Sequence, residues 1–451
     1  MKAQTISLFL KFKLYGGKSM KRFQFILLLA GILTLAACSG GGNNSEADGD
    51  FSSESENSDA ITAWAWDKEF NVAALEVANE AYDGDEDIEL EIIENAQDDI
   101  VQKLNTSLSS GSDKGLPNLV MIEDYRAQNF LESYPDAFYP VDDYMNPDDF
   151  SDYKMATTQH DGKQYGVPFD SGTTGLFVRT DILDDAGYSV EDLEDITWKE
   201  YIEIGKDIKE ETGVDLLTLD PNDLGQIRMM IQSAGEWYTD EDGEQLNLSD
   251  NDALKEAFEI YKEMMDSDAV KVISDFSQFI GAANKGDVAT VPTGNWFIAS
   301  VKGEESQEGD WAVVPTPRLE SVDSENASNL GGSSIYVLNI DGKEKAASFL
   351  ENTFGTDEEM YDTLVSDVGA IGTYTPSLDG DAFKEEDEFF DDQAIIEDFA
   401  EWNEQIPGVN YGLYTYEIED IMINKMQDYL NGEDLEDTLE DAQLQAENQI
   451  N

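Results

Sequence analysis

The sequence predicts a two-lobed α/β protein in which each lobe is a mainly parallel sheet flanked by helices. Three observations lead to this fold class. The 451 residues exceed what one hydrophobic core usually organises. Strand-like and helix-like segments alternate, which is typical of parallel sheets with helical connections. Residues 162–181 join two strand-like runs through a small, glycine-containing stretch, which indicates a crossing between two bodies.

The first 37 residues have the features of a secretory signal. They carry six cations and no acid, and Met20, the favoured start of translation, precedes a basic pair and the apolar run 23–35. The run ends in Leu-Ala-Ala-Cys38, similar to the lipobox of bacterial lipoproteins, so we expect a lipid anchor on Cys38. An ordinary signal with a chance cysteine is the alternative. Residues 38–59 are rich in Gly, Ser and acid, which predicts a flexible tether.

Acidic residues dominate the rest of the chain. Without the leader, 21 cations stand against 98 acids, a formal charge of about −77. Such a charge repels nucleic acid and anionic ligands, and it favours a monomer. Because the acids are spread over every segment, they indicate solvation in a salty or alkaline medium. The charge is compatible with a cationic ligand.

The individual elements follow from hydrophobic periodicity and turn residues. Strands are predicted over residues 61–66, 88–92, 118–122, 165–169, 175–179, 214–219, 286–291, 311–314 and 335–338. Helices are predicted over residues 72–82, 100–108, 197–211, 224–234, 251–265, 343–354, 357–365, 392–404, 414–430 and 435–448. We expect a first lobe of residues 60–170 plus about 333–385, and a second of about 171–332 plus 386–451, with a return crossing near residues 329–334.

Polar and aromatic side chains follow two strands of the first predicted sheet. Trp66 and Asp67 come after the first strand, and Glu123 and Asp124 come at the end of the third. The carboxyl ends of parallel strands meet at one edge of a sheet, where ligands bind. We therefore expect these four residues to lie at one site.

Further aromatic residues stand at turns and loops. Trp296 follows Asn295 in a Gly-Asn turn after a strand, where ring stacking is favoured over packing. Packing and ligand contact explain Trp237 equally well, and at least one residue of the group Tyr411, Tyr414 and Tyr416 is expected to face a ligand. Aromatic faces beside carboxylates and amides suit sugars, which present C–H faces and hydroxyl groups. The tryptophans expected in the core are Trp64, Trp198 and Trp402.

No catalytic, metal or cofactor site is predicted. The single histidine, His160, lies in a polar loop without a Ser/His/Asp setting, and with only Cys38 it specifies no zinc site. No phosphate-binding glycine fingerprint occurs where a strand meets a helix. Because 98 acids make chance carboxylate pairs abundant, such pairs do not indicate a glycosidase.

Several stretches resemble the carbohydrate-specific extracellular solute-binding proteins of bacterial ABC importers, the family that includes the maltodextrin-binding proteins. They are ITAWAWDKEFN, GLPNLVMIEDY, YGVPFDSGTTGLFVRTD, GDVATVPTGNW, NLGGSSIYVL and YGLYTYE, in that order. The resemblance implies a periplasmic-binding-protein fold whose lobes close over a sugar and dock on a membrane permease at the outer face of the cell membrane. It implies ligand contacts at Trp66, Asp67, Glu123, Asp124, Asp170, Ser171, Asn295, Trp296, Gly331, Gly332, Tyr411, Tyr414 and Tyr416.

The sequence of the first loop looks most similar to that of family members that take galactosides, arabinosides or other small oligosaccharides. It departs from the maltodextrin binders there, which argues against a maltodextrin ligand. Two other functions stay open. One is a receptor for a cationic solute such as a polyamine, favoured by the acid content. The other is a surface glycosidase, which would need a carboxylate pair at catalytic separation.

Overall fold

Two sheets dominate the part of the chain that the computed structural model describes, which is residues 60–84, 88–150, 152–241 and 243–450. The predicted signal, Cys38 and the tether lie outside these residues. The strands are β1 Ala60–Ala65, β2 Glu89–Glu94, β3 Leu119–Glu123, β4 Gln159–His160, β5 Lys163–Gln164, β6 Gly166–Pro168, β7 Thr174–Arg179, β8 Leu217–Leu219, β9 Val270–Val272, β10 Thr290–Gly294, β11 Trp311–Val314 and β12 Ser333–Val337.

Helices connect and cover these strands. They are α1 Ala73–Ala81, α2 Gln97–Ser109, α3 Asp124–Ser133, α4 Asp152–Thr158, α5 Thr180–Ala186, α6 Trp198–Thr212, α7 Gly225–Ser233, α8 Asp252–Asp266, α9 Phe276–Asn284, α10 Phe297–Lys302, α11 Lys343–Glu351, α12 Glu358–Thr363, α13 Ile395–Asn403, α14 Thr415–Leu430 and α15 Leu435–Ile450. No helix in the described ranges has both the length and the apolar content that crossing a membrane requires.

The first sheet has the strand order β2-β1-β3-β12-β6. Strand β1 runs parallel to β2 and β3, whereas β12 is antiparallel to β3 and β6. Alternation along β1 sends Ile61 and Ala63 into one hydrophobic cluster and Trp64 into another, so helices cover both faces of the sheet. The expectation that Trp64 belongs to the core is confirmed.

The second sheet has the order β10-β7-β11, and both of its strand pairs are antiparallel. The expectation of a mainly parallel sheet is therefore wrong for this sheet, although the small pair β8 and β9 beside it is parallel. The alternation of strand and helix segments predicts which elements form but not how the strands pair. The strands that pair with β7 lie more than 100 residues later in the chain, so their direction depends on long-range packing. Phe177 and Val178 of β7 lie in different clusters, so this sheet too is covered on both faces.

Strand β10 begins later than the sequence predicts. The predicted strand 286–291 is observed as β10, Thr290–Gly294. Gly286 has φ 68°, and its N–H and that of Asp287 bond to carbonyls of the last turn of α9, which makes this stretch a helix C-cap. The strand then continues through Pro292, which an edge strand tolerates.

Two chain crossings connect the sheets, as the sequence predicts. Residues 169–173 lead from β6 to β7, and residues 329–332 lead into β12. The crossings run side by side, because Leu330 N–H donates to Gly172 O over 2.9 Å and Phe169 N–H donates to Ser333 O over 3.1 Å. Residues 371–373 join them, since Ser171 N–H donates to Ile371 O over 3.1 Å.

Candidate functional site

The ends of β1 and β3 lie side by side, as predicted. The two strands pair in parallel with Trp64 opposite Val120, so Trp66 and Glu123 emerge at the same edge of the first sheet. Trp66 and Glu123, together with Arg126, line a cavity of about 10 Å³, which is about the space of one water molecule. This cavity is too small for a sugar ring, so a sugar could enter it only if the surrounding elements moved.

Asp67 shapes the loop that follows Trp66. Its φ of 56° lies in the left-handed region, and its carboxylate accepts a hydrogen bond from Glu69 N–H over 3.2 Å. It thereby caps the short helical turn Lys68–Val72. Burial raises the pKa of the Asp67 carboxyl above its ordinary value, while the backbone bonds to Glu69 and Phe70 oppose this shift.

A buried cluster of charges lies where the first sheet meets the crossings. Asp124, at the start of α3, is 2% exposed and forms a salt bridge with the fully buried Lys154 of α4. Lys154 also donates to Ser333 O over 3.3 Å. Asp170 accepts bonds from the backbone N–H and the hydroxyl of Ser333 over 2.7 and 2.6 Å. The carboxylate of Asp124 accepts a further bond from the Ser334 hydroxyl over 3.1 Å.

This cluster contains two carboxyl groups and one ammonium group. Burial raises the pKa of Asp124 and of Asp170, and the positive charge of Lys154 opposes the shift in both. The Asp170 charge further raises the pKa of Asp124. A net negative charge therefore lies at the junction of the two crossings when both acids are ionised.

A second polar contact joins α3 to α14. The Tyr416 hydroxyl donates to Glu123 Oε2 over 2.5 Å, and the Arg126 guanidinium lies 3.7 Å from the centre of the Tyr416 ring. Arg126 Nε is also 3.7 Å from Glu123 Oε2. Burial raises the pKa of Glu123, although Arg126 and the Tyr416 hydrogen bond oppose this shift. One face of the Tyr416 ring is thus occupied by a cation of the same chain.

Two other predicted aromatic contacts surround Tyr125. Trp237 is 2% exposed, donates its ring N–H to Thr415 Oγ1 over 3.1 Å, and stacks on Tyr125. Tyr411 meets the same ring edge-on at 4.7 Å. Tyr414, in contrast, is 37% exposed. In this conformation Trp237 and Tyr411 pack in the core around α7, α8 and α14, so their contact with a ligand stays a prediction.

The Gly-Asn turn after β10 holds Asn295 and Trp296 beside the two chain crossings. Trp296 packs against core clusters of both sheets, and its ring N–H donates to Leu330 O over 3.0 Å. Trp66 packs against one of these same clusters. Asn295 is 0% exposed, yet within the described ranges neither its amide oxygen nor its amide nitrogen has a hydrogen-bond partner.

The remaining predicted site residues belong to the crossings. Gly331 and Gly332 have φ values of 91° and 86°, which side chains rarely adopt. A Cβ on Gly332 would lie 2.8 Å from Asp124 Oδ2, and one on Gly331 would lie 3.3 Å from Trp296 Nε1. Ser171 is buried, and its hydroxyl oxygen accepts a bond from the Thr173 hydroxyl over 3.0 Å. These positions hold the crossings against the predicted site.

Comparison with known proteins decides the family. Residues 73–391 match the model of the bacterial extracellular solute-binding proteins. This chain belongs to that family. The extracellular solute-binding family fits an extracellular or periplasmic location.

Curated relatives and solved structures extend the match. The chain is 40% identical to the lactose-binding protein of Rhizobium radiobacter over 392 residues, which cover 86% of this chain and 93% of the relative. It is 26% identical to the arabinooligosaccharide-binding protein of Halalkalibacterium halodurans, covering 79% of this chain and 77% of that protein. The GacH receptor of Streptomyces glaucescens, solved unliganded and with acarbose, superposes with a TM-score of 0.72 at 19% identity, covering 86% and 97% of the two chains. The two-lobed fold expected from the sequence is confirmed.

Some residues at the site of this solute-binding protein were not predicted from the sequence. Lys154, Tyr125 and Arg126 hold the predicted residues in place, and Asn71 in the first loop is buried with an amide oxygen that is unpaired among the described residues. The sequence does offer a reason to select Lys154, because it is the only lysine or arginine between Arg126 and Lys163 in an acid-rich chain. Tyr125 and Arg126 directly follow the predicted site residues Glu123 and Asp124. The whole first turn of α3 is therefore a better candidate for the site than Glu123 and Asp124 alone.

Proposed function

We propose that this protein is the solute-binding component of an ABC sugar importer and binds a small oligosaccharide, a galactoside or an arabinoside, between its lobes. The observation that carries the proposal is the Asn295–Trp296 turn. Among the residues that the structure describes, the buried Asn295 amide has no hydrogen-bond partner, which costs free energy. A sugar hydroxyl relieves this cost because it both donates and accepts hydrogen bonds. The adjacent Trp296 offers the flat ring on which the C–H face of that sugar packs.

The named relatives support this choice of ligand. The relative that is 40% identical is a lactose-binding protein, and the one that is 26% identical is an arabinooligosaccharide-binding protein. Both relatives are named for a ligand of the class that the first-loop motif suggests. Beyond Asn295 and Trp296, we propose that the following residues line or shape the site: Trp66, Asp67, Glu123, Asp124, Asp170, Ser171, Trp237, Gly331, Gly332, Tyr411, Tyr414 and Tyr416.

Binding requires the lobes to separate and close again. The contacts of Arg126 and Glu123 with Tyr416 span α3 and α14, and they occupy groups that a ligand would otherwise meet. We propose that sugar hydroxyls replace some of these contacts when the cleft opens, which is hinge motion about the paired crossings. Asp124 and Glu123 already have cationic partners in Lys154 and Arg126, which disfavours a polyamine as their ligand.

Isothermal titration calorimetry of the purified protein tests the function. The panel contains lactose, β-1,6-galactobiose, arabinobiose and arabinotriose, with spermidine as the cationic alternative. We expect at least one of the glycans to bind, and Trp296→Ala to abolish that binding. Asn295→Leu should remove binding while keeping the unfolding temperature, because the buried amide it replaces has no hydrogen-bond partner in the described part of the chain. A folded protein that binds none of the glycans would overturn the function.

A second experiment separates binding from hydrolysis. We propose that the protein is a receptor and not an enzyme, so the bound glycan should be recovered intact after long incubation. Chromatography of the glycan after incubation gives the readout. Appearance of monosaccharides would instead favour the glycosidase.

We further propose that Cys38 carries the lipid anchor and that residues 39–59 tether the protein to the outer face of the membrane. Two acyl chains give stable anchoring, and the tether raises the local concentration of receptor at the permease. Cys38→Ser should release the protein from the cells into the medium. The high like charge supports a monomer, which size-exclusion chromatography checks.

A further inference from the structure

Trp296 forms an aromatic cluster with Phe276 and Phe279. Phe276, the first residue of α9, has its ring centre 5.9 Å from that of Trp296, with the ring planes 42° apart. Phe279, one turn later, lies 5.8 Å from Phe276 and 6.2 Å from Trp296. Trp296 is partly buried between the sheets, whereas Phe276 is 53% exposed. The cluster therefore extends from the partly buried Trp296 to an exposed ring at the surface.

The exposed ring is held in position by its neighbours. Asp275 caps α9 by accepting a hydrogen bond from Gln278 N–H over 2.9 Å, which fixes the backbone at Phe276. Phe279 packs on Phe297 of α10 at 5.5 Å, and this contact ties α9 to the Asn295–Trp296 turn. Phe276 is thus presented beside Trp296 on two short helices that pack together.

We propose that Phe276 is a second sugar platform, which stacks on the sugar unit next to the one held by Trp296. This inference rests on the proposed sugar-binding function and deepens it, because it requires a ligand of at least two sugar units. The separation of the two rings is comparable with that of neighbouring pyranose rings in a disaccharide. A phenyl ring has no hydrogen-bonding group, so it accepts the outer sugar by its C–H face and discriminates little among hydroxyl configurations.

The size of the exposed patch supports a sugar as its occupant. Single exposed apolar side chains are common on proteins, so exposure alone indicates nothing. Half of a phenylalanine side chain amounts to about 100 Å², far below the ~800 Å² per partner of a standard protein interface. The patch is also continuous with Trp296, which makes it part of the proposed site.

Calorimetry with Phe276 variants tests the platform, using the glycan of the panel that binds best together with galactose and arabinose as single sugar units. Phe276→Ala should weaken binding of the oligosaccharide about three- to tenfold, and Phe276→Tyr should keep it within about twofold because the ring face remains. The matched control is Val272→Ala, a 54% exposed apolar residue on β9, which should leave the affinity unchanged. Unfolding temperature and near-UV circular dichroism show whether the Trp296 environment survives in each variant.

Each outcome bears on one of the two claims. Wild-type protein that binds no sugar removes the proposed function, and the platform with it. Wild-type binding with unchanged affinity in Phe276→Ala overturns the platform alone. The same holds if Phe276→Tyr loses as much affinity as Phe276→Ala, or if a single sugar unit binds and loses as much affinity as the oligosaccharide, since Phe276 would then act only by supporting Trp296.

Discussion

Tyr125 stacks on Trp237 with ring centres 5.5 Å apart and ring planes 26° apart. Tyr125 lies in the first turn of α3, directly after a strand of the first sheet, whereas Trp237 lies in the core around α7 and α8 beside the second sheet. The Tyr125 hydroxyl donates to Asn329 O over 3.4 Å and accepts from Gly331 N–H over 3.2 Å. One side chain thus joins the first lobe, the core of the second and the return crossing.

Tyr125→Ala should lower the free energy of unfolding by about 3 kcal/mol, because it leaves a cavity between Trp237 and Tyr411. Tyr125→Phe keeps the stacked ring and loses only the hydroxyl bonds, which costs about 1 kcal/mol. Urea unfolding measures both values. The control is Tyr414→Ala, which removes a partly exposed tyrosine and should cost about 0.5 kcal/mol or less. Equal effects of Tyr125→Ala and Tyr414→Ala would contradict the joining role of Tyr125.

Lys154→Met should destabilise the fold by about 3–5 kcal/mol, because it leaves the buried carboxylate of Asp124 without its ion-pair partner. The same urea experiment measures this loss. Adding Asp124→Asn to Lys154→Met should restore part of the stability, since the uncompensated charge is then gone.

Lys199→Met is the matched control for Lys154. Lys199 pairs with Glu320 at 3.1 Å, but both side chains are exposed, and such pairs contribute little in water. Its replacement should leave the unfolding midpoint nearly unchanged. If Lys154→Met proves as mild as Lys199→Met, the buried cluster does not hold the crossings together.

Asp170→Asn should make stability less sensitive to pH. Burial raises the Asp170 pKa above its ordinary value of 3.8, so the folded protein holds this proton more tightly than the unfolded chain does. Stability from this group is therefore present below pH 3.8 and is lost as pH rises through the folded pKa. The asparagine oxygen can still accept both bonds from Ser333, so the variant should match the wild type in acid and exceed it at neutral pH.

Thermal melts between pH 4 and pH 8 check the Asp170 prediction. The high negative charge of the whole protein also makes its stability depend on pH, because protonation of acids reduces the repulsion between them. The comparison is therefore between variant and wild type at each pH. Asp310→Asn, at a half-exposed acid far from the crossings in sequence, provides the background slope. Parallel curves for wild type and Asp170→Asn would show that Asp170 does not titrate in this range.

Local patterns predicted much of the framework. Alternation of apolar residues with acids predicted β2, and the Thr197–Glu200 capping box, now observed, predicted the start of α6. The small residues between β6 and β7 predicted the crossing. Each of these features depends on residues within a few positions of one another, which is why the sequence alone reveals them.

Features that depend on distant pairs were not predicted. Lys154 finds Asp124 across 30 residues and Ser333 across 179, so its burial depends on the assembled sheet. The direction of the second sheet depends on β10 and β11, which follow β7 at long range. Tyr125 was passed over because its partners Trp237 and Tyr411 come from segments far apart in the chain.

Gly332→Ala should destabilise the return crossing by about 1–3 kcal/mol. Gly332 has φ 86°, and an added Cβ would lie 2.8 Å from Asp124 Oδ2 and 3.2 Å from Lys154 Nζ, so the substitution strains the backbone and presses on the buried ion pair at once.

Two alanine variants separate these effects. Gly309 has a similar φ of 81°, and no described residue lies within 4 Å of an added Cβ, so Gly309→Ala reports backbone strain alone. Gly408→Ala likewise meets none of the described residues within 4 Å, and Gly408 has no positive φ. We expect the loss in unfolding free energy to be largest for Gly332→Ala, smaller for Gly309→Ala and smallest for Gly408→Ala. If Gly332→Ala costs no more than Gly309→Ala, the crossing has room to move away from Asp124, and the close packing of this glycine on the charge cluster does not constrain it.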